Sequence, residues 1–358
     1  NTAATAGTTS YGIYALNNDV SLTRSDSTIK LFAGSEINMS AQDGGVGVSA
    51  FKSTLTNDGK ITVGKNGIAV YADDSEININ SGEINLNGDN AVGFYLTNSQ
   101  FNGNSGTINI TGKNVVLFNL VNSSFTNNLA VNAAPGSTYV VGNLSNAVYT
   151  HSGTNTLLSD SVLLNGNNSA MLIDSTSNIS SSSTGVVVML LDGRYGLPFP
   201  AGYTADGENA GTIVLGNDSA AVYGKNGTRL KNSGSITLGS NSVGVYNVGA
   251  SSETENIGII TLGNNSTGLY QNNGTNIIIS NNIPLGSDGF YKPNGFSYSN
   301  LTLNGLTKGK WIVSMGIRLK TQVTLTDAFW IHAKLSSSTT GVTSNEFTNL
   351  GPAGNATG

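Results

Sequence analysis

Gly234-Ser235-Ile236-Thr237-Leu238-Gly239-Ser240-Asn241-Ser242-Val243-Gly244-Val245-Tyr246 is one unit of a repeat. Its Ser235–Leu238 segment alternates polar and apolar, the period-two pattern of a strand with one face buried. Gly239, Ser240 and Asn241 then turn the chain, and a second apolar stretch runs to Tyr246. The same order returns in Ile260-x-Leu262-Gly263-x-x-Ser266-x-Gly268-Leu269-Tyr270 and in Ile213-x-Leu215-Gly216-x-x-Ser219-x-x-Val222-Tyr223. Its kernel occurs at Gly59-x-Ile61-x-Val63, Gly82-x-Ile84-x-Leu86, Gly106-x-Ile108-x-Ile110, Gly234-x-Ile236-x-Leu238 and Gly258-x-Ile260-x-Leu262. Neighbouring copies lie about 23 or 24 residues apart, a period that belongs to solenoids.

A third short stretch completes the unit, as in Thr228-x-Leu230-x-Asn232 and Ser53-x-Leu55-x-Asn57. Three short strands per coil, joined by Gly and Asn corners that supply positive φ, define an all-β fold, a parallel β-helix. Its right hand follows from the preference of parallel crossovers. If every residue served the coil, the chain would make about 15 coils and a rod of roughly 70 Å. Stacking places like residues over one another. Asn57, Asn80, Asn104, Asn232 and Asn256, each two places before its Gly, are therefore expected to form an amide ladder at a buried corner.

The chain is weakly acidic, with a net charge of −5 and only 10% charged residues. That balance argues against a nucleic-acid partner, which needs a basic face. The 46 glycines would fit a disordered chain, but the regular Ile, Leu and Val spacing requires order. There is no cysteine, so no disulfide can staple the fold. No stretch is long and apolar enough to cross a bilayer as a helix. Gly7-x-x-Ser10-x-Gly12-Ile13-Tyr14 already matches half of the unit, so the sequence is read as starting mid-repeat, as part of something longer.

Interruptions of the repeat divide the chain. Residues 1–300 are expected to form the solenoid, with insertions near 15–36 and 188–210. Residues 301–340, which hold both Trp residues and lack the Gly-x-Ile kernel, read as a cap or the start of another module. Residues 341–358 read as a loose tail. Insertions at solenoid corners often carry recognition. The longest runs Leu190-Leu191-Asp192-Gly193-Arg194-Tyr195-Gly196-Leu197-Pro198-Phe199-Pro200-Ala201-Gly202-Tyr203. It either folds back over the rod on its own aromatics or projects to bind. Arg194, Tyr195, Phe199 and Tyr203 are the residue types enriched at binding hot spots, and Asp192, Asp206 and Glu208 add acceptors for sugar hydroxyls. The first six of these positions, Glu208 apart, form the candidate ligand site. A second aromatic break, Gly289–Tyr298, reads as a coil-end plug or a glycan platform.

Signs of catalysis are sparse. Asp73-Asp74-Ser75-Glu76 is the densest acidic cluster and reads as a solvated turn, with weak Ca²⁺ binding as the sharper alternative. His151 and His332 lack metal-ligand spacing, and no nucleophile or phosphate-loop motif occurs. No cofactor, metal or enzyme activity is expected.

The string Gly234–Tyr246 resembles the passenger repeats of large fusobacterial autotransporter adhesins, over about residues 5–295 and best over 55–120 and 205–292. The resemblance implies a β-helical passenger displayed outside the cell and anchored by a C-terminal outer-membrane barrel that lies outside this sequence. It implies adhesion to a receptor or glycan on a host cell or partner bacterium. The alternatives are a tailspike-like polysaccharide hydrolase or lyase, and a passive spacer.

Overall fold

The computed structural model describes residues 9–21, 23–156, 162–272 and 276–279, with four two-residue strands farther along the chain. The chain winds into a right-handed parallel β-helix of ten turns and part of an eleventh. The first face stacks eleven strands, from Tyr11–Leu16 to Thr267–Asn272. The second stacks eleven, from Thr28–Leu31 to Asn276–Ile279. The third comes in two five-stranded parts, Glu36–Met39 to Ala130–Ala133 and Thr154–Thr156 to Ile259–Thr261. All these pairings are parallel. Ten spacings of about 4.8 Å give a rod of about 48 Å, shorter than 15 coils would give because residues 280–358, apart from four two-residue strands, lie outside the described residues. Most of 301–340, all but two residues of the tail, and most of the Gly289–Tyr298 break lie outside the described residues.

The Gly-x-Ile kernel sits on the third face. Ile37, Ile61, Ile84 and Ile108 stack inward in register, as do Ile213, Ile236 and Ile260. The glycine before each is demanded mainly by crowding rather than by positive φ. Of the five, only Gly106 has a positive φ, 135°. A Cβ on Gly258 would lie 2.0 Å from the Gly234 carbonyl oxygen of the coil beneath. Gly258→Ala is therefore expected to cost about 1–3 kcal/mol through forced backbone shifts, measured as a lower urea midpoint. An unchanged midpoint would show that the corner has slack.

The positive-φ corners belong to other residues. Two-residue links join the first face to the second: Lys52-Ser53, Asp74-Ser75, Asn98-Ser99, Asn122-Ser123, Asn146-Ala147 and Asn168-Ser169. The first member of each is left-handed, with φ 46–49°, a conformation that Asn and Asp tolerate best after Gly. The second member is buried, and where it is serine its hydroxyl closes the accounts of the turn. Ser75, Ser99 and Ser123 Oγ each accept the backbone N–H of the preceding coil's serine at 3.0 Å. Each donates to the carbonyl two residues back, at 2.6–2.8 Å. Buried turns thus leave no orphaned N–H here.

The core is one continuous column of aliphatic side chains that widens to aromatics in the middle of the rod. Phe94 and Phe118 point in from the first face, and Phe101, Phe125 and Tyr149 from the second. Phe101 and Phe125 stack at 4.0 Å between centroids, and Phe125 and Tyr149 at 5.2 Å.

Candidate ligand groove at a corner of the rod

Both large insertions leave the coil at the same corner, between the first and second faces. In the first coil residues 17–27 replace the usual two-residue link, and in the eighth residues 193–206 do so. Leu190, Leu191 and Asp192, within the run read as an insertion, belong to the strand Val187–Asp192.

The second insertion folds back on the rod. Across most of the described second face, the outward residues are polar. At Val148, Ala170 and Leu172 they are apolar, and the loop covers that patch with Tyr195, Phe199 and Tyr203. Tyr195 and Tyr203 are each only 9% exposed. The Tyr203 hydroxyl bonds Thr150 Oγ1 at 2.6 Å, and burial raises its pKa. Phe199 lies under the Arg229 guanidinium, 4.4 Å from ring centroid to Cζ. Asp206 is fully buried and accepts the N–H groups of Tyr195 at 2.9 Å and Arg229 at 2.7 Å. Arg194 spans outward along the rod to the Gly227 and Ser251 carbonyls and to Glu253, at 2.8 Å. Asp192 pairs with Lys225 at 2.9 Å, and hydrogen bonds from Lys225 and Asn226 hold its carboxyl below the usual range.

The six candidate ligand residues are thus engaged by the protein itself. Of the two courses the sequence left open for this loop, it takes the fold back onto the rod, because burial of the apolar outward patch draws the aromatics in. Replacing Arg194, Tyr195, Phe199 and Tyr203 together with alanine is expected to expose Val148, Ala170 and Leu172. The check is increased binding of a hydrophobic dye and a lower unfolding midpoint. If neither changes, the loop does not hold this packing in solution.

The expected single asparagine ladder is two separate columns. Asn209, Asn232 and Asn256 share the inward end of the second face and bond amide to amide, at 2.8 and 2.7 Å. Asn57 occupies the same inward position but stands between Leu31 and Ile79, so no amide partner faces it. Asn80 and Asn104 are exposed and bond each other outside, at 3.0 Å. In their coils the corner holds three residues instead of two, which moves the Asn before Ser-Gly past the end of the strand.

Between the two insertions lies an open groove of about 800 Å³. Its floor is the left-handed corner column Asn98, Asn122, Asn146 and Asn168, flanked by Gln100 and Ser124 of the second face. Arg24 of the first insertion closes one end, and Tyr195, Leu197 and Pro200 of the second close the other. Leu197 is 62% exposed. Arg24 is held by Asp74, at 2.6 Å, and by the Asn98 carbonyl at 2.9 Å. It is the only charged residue lining the groove among the described residues. Asn122 donates to Asn98 Oδ1, and Asn98 to Asp73, each at 3.2 Å. The aromatic core lies directly beneath, giving the floor a rigid support.

Sequence reasoning missed this column. Its signal was present as Asn98-Ser99, Asn122-Ser123 and Asn168-Ser169, each recurring at the coil period. The Gly-x-Ile kernel drew attention to the opposite corner instead. Of the other candidates, Asp73 accepts Asn98, Asp74 holds Arg24, and Glu76 accepts Asn78 Nδ2 at 3.1 Å. No group of three or more His, Cys, Asp or Glu poised for a metal occurs among the described residues. Comparison with family models, curated proteins and solved structures finds no significant match in any of the three.

Proposed function

We propose that this chain is the ligand-binding rod of a cell-surface adhesin, an autotransporter-type passenger, and that its ligand on a host or bacterial surface lies in the corner groove. The observation that carries the reading is that two insertions, seven coils apart, leave the same corner and bracket one groove. A bare spacer needs no such device. The rod supplies distance from the cell, the neutral polar exterior suits an extracellular surface, and the groove supplies a site supported from below by the core.

Polysaccharide cleavage is the competing class. It requires carboxylates facing the substrate as acid, base or nucleophile. No carboxylate lines the groove among the described residues, which favours binding over cleavage. The test is adhesion of the purified chain to cells, beside Ser124→Arg. Ser124 is exposed on the groove floor, so arginine there fills the groove without entering the core. Adhesion lost in the variant with its unfolding midpoint unchanged supports the reading. Equal adhesion by both chains removes the groove from it.

A further inference from the structure

Resting on that reading of the groove, we propose that its ligand is a linear, neutral glycan with diequatorial linkages. The chain lies along the rod axis at about one sugar per coil over about four coils. The amides of Asn146 and Asn168 are its main hydrogen-bonding partners.

Periodicity is the first argument. The four corner asparagines share one backbone conformation, φ 46–49°, so their side chains start in the same direction from every coil. They repeat at the strand spacing of about 4.8 Å, close to the length of one pyranose in an extended diequatorial chain. Successive sugars therefore keep step with successive amides, alternate sugars turning opposite hydroxyl-bearing edges to the floor. Axially linked chains curl and lose this register.

Chemistry is the second. Each amide offers both a donor and an acceptor, the combination that neighbouring hydroxyls or an acetamido group satisfy. Asn98 and Asn122 are tied to each other and to Asp73. The amides of Gln100, Asn146 and Asn168 have no hydrogen-bond partner among the described residues and face the groove. Arg24 is neutralised by Asp74, so the lining offers an anionic polymer no free cation. Leu197 and Pro200 form an apolar end wall for the C–H face of a terminal sugar.

A peptide fits less well. Extended along the axis it repeats every two residues, at about 6.6 Å, and falls out of step with the coils. Laid across the axis it would need an open strand edge, and the strands beneath the groove are paired on both sides.

The experiment is calorimetric titration of the chain with cellotetraose, chitotetraose and maltotetraose, and with the shorter members of each series. The wild type is compared with Asn146→Gly/Asn168→Gly, since glycine keeps the left-handed corner while removing both amides. The expected result is affinity for a diequatorial series that rises with length up to the tetraose. The double variant should lose about tenfold or more of it at an unchanged melting temperature, and maltotetraose should bind weakly or not at all. Equal binding of maltotetraose, or no dependence on length, would overturn the register argument while leaving a glycan groove. If no saccharide binds, yet the double variant loses cell adhesion, the glycan class is wrong and the groove reading stands. If the variant keeps full adhesion, both fall.

Discussion

Phe118→Ala is expected to lower the unfolding free energy by about 3–5 kcal/mol, the usual cost of removing a buried phenyl ring and leaving a cavity. Phe118 is fully buried. Its ring lies 4.1 Å from Phe125 and 5.6 Å from Phe94, with Phe101 and Tyr149 each at 6.1 Å. Four neighbours therefore lose contacts at once, and stacked coils on either side prevent the cavity from collapsing. The measurement is urea unfolding of the variant beside Phe118→Leu, for which a much smaller loss is expected. Because this cluster supports the groove floor, Phe118→Ala should also weaken ligand binding. Asn146→Gly/Asn168→Gly should weaken binding alone. A stability loss below about 1 kcal/mol would show that the coils close around the missing ring.

Acid is expected to destabilise the rod through His151. Its side chain stands in the core column with Asn127 on one side and Ile173 on the other, its Nδ1 3.1 Å from the Tyr149 hydroxyl. Burial pushes its pKa down from 6.5 to about 4, against a smaller opposing pull from Asp174. The unfolded chain takes up a proton near pH 6.5, whereas the folded chain resists until about pH 4. In that window the unfolded state binds more protons, so stability falls as pH falls. The total loss is about 3 kcal/mol, complete near pH 4. Asp174 acts lower. Burial raises its pKa, but hydrogen bonds from Ser152, Thr176 and Ser177 outweigh that and leave it below 3.8. Its contribution is present above the unfolded value and is lost only at more acid pH. His151→Asn, which extends the polar position begun by Asn127, should flatten the urea midpoint between pH 6.5 and 4. An unchanged slope would exclude His151 as the acid-sensitive group.

Much of the architecture was legible because a solenoid repeats its instructions. Ile61, Ile84 and Ile108 fall in register by sequence spacing alone, and they meet on the third face as the period requires. The asparagine ladder was legible only in part. Spacing from the glycine is preserved at Asn80 and Asn232 alike, yet one extra corner residue puts the first outside and the second inside. A count from one landmark cannot register a change on its other side. The course of the loop stayed open between two alternatives for a related reason. Tyr195, Phe199 and Tyr203 have the composition of a hot spot, but what they do depends on the outward side chains of coils more than twenty residues earlier.

The sequence by itself determined the strand period, the coil length, the inward column of isoleucines and roughly where along the chain the insertions fall. All of these follow from local alternation and turn chemistry, which neighbouring coils then copy. Only the tertiary structure decided that the two insertions converge on one groove, that the aromatic loop covers Val148, Ala170 and Leu172, and that Asn98 to Asn168 form its floor. Those relations join residues far apart in the chain through burial of apolar surface and through coil stacking, and no local pattern encodes which distant surface an insertion will meet.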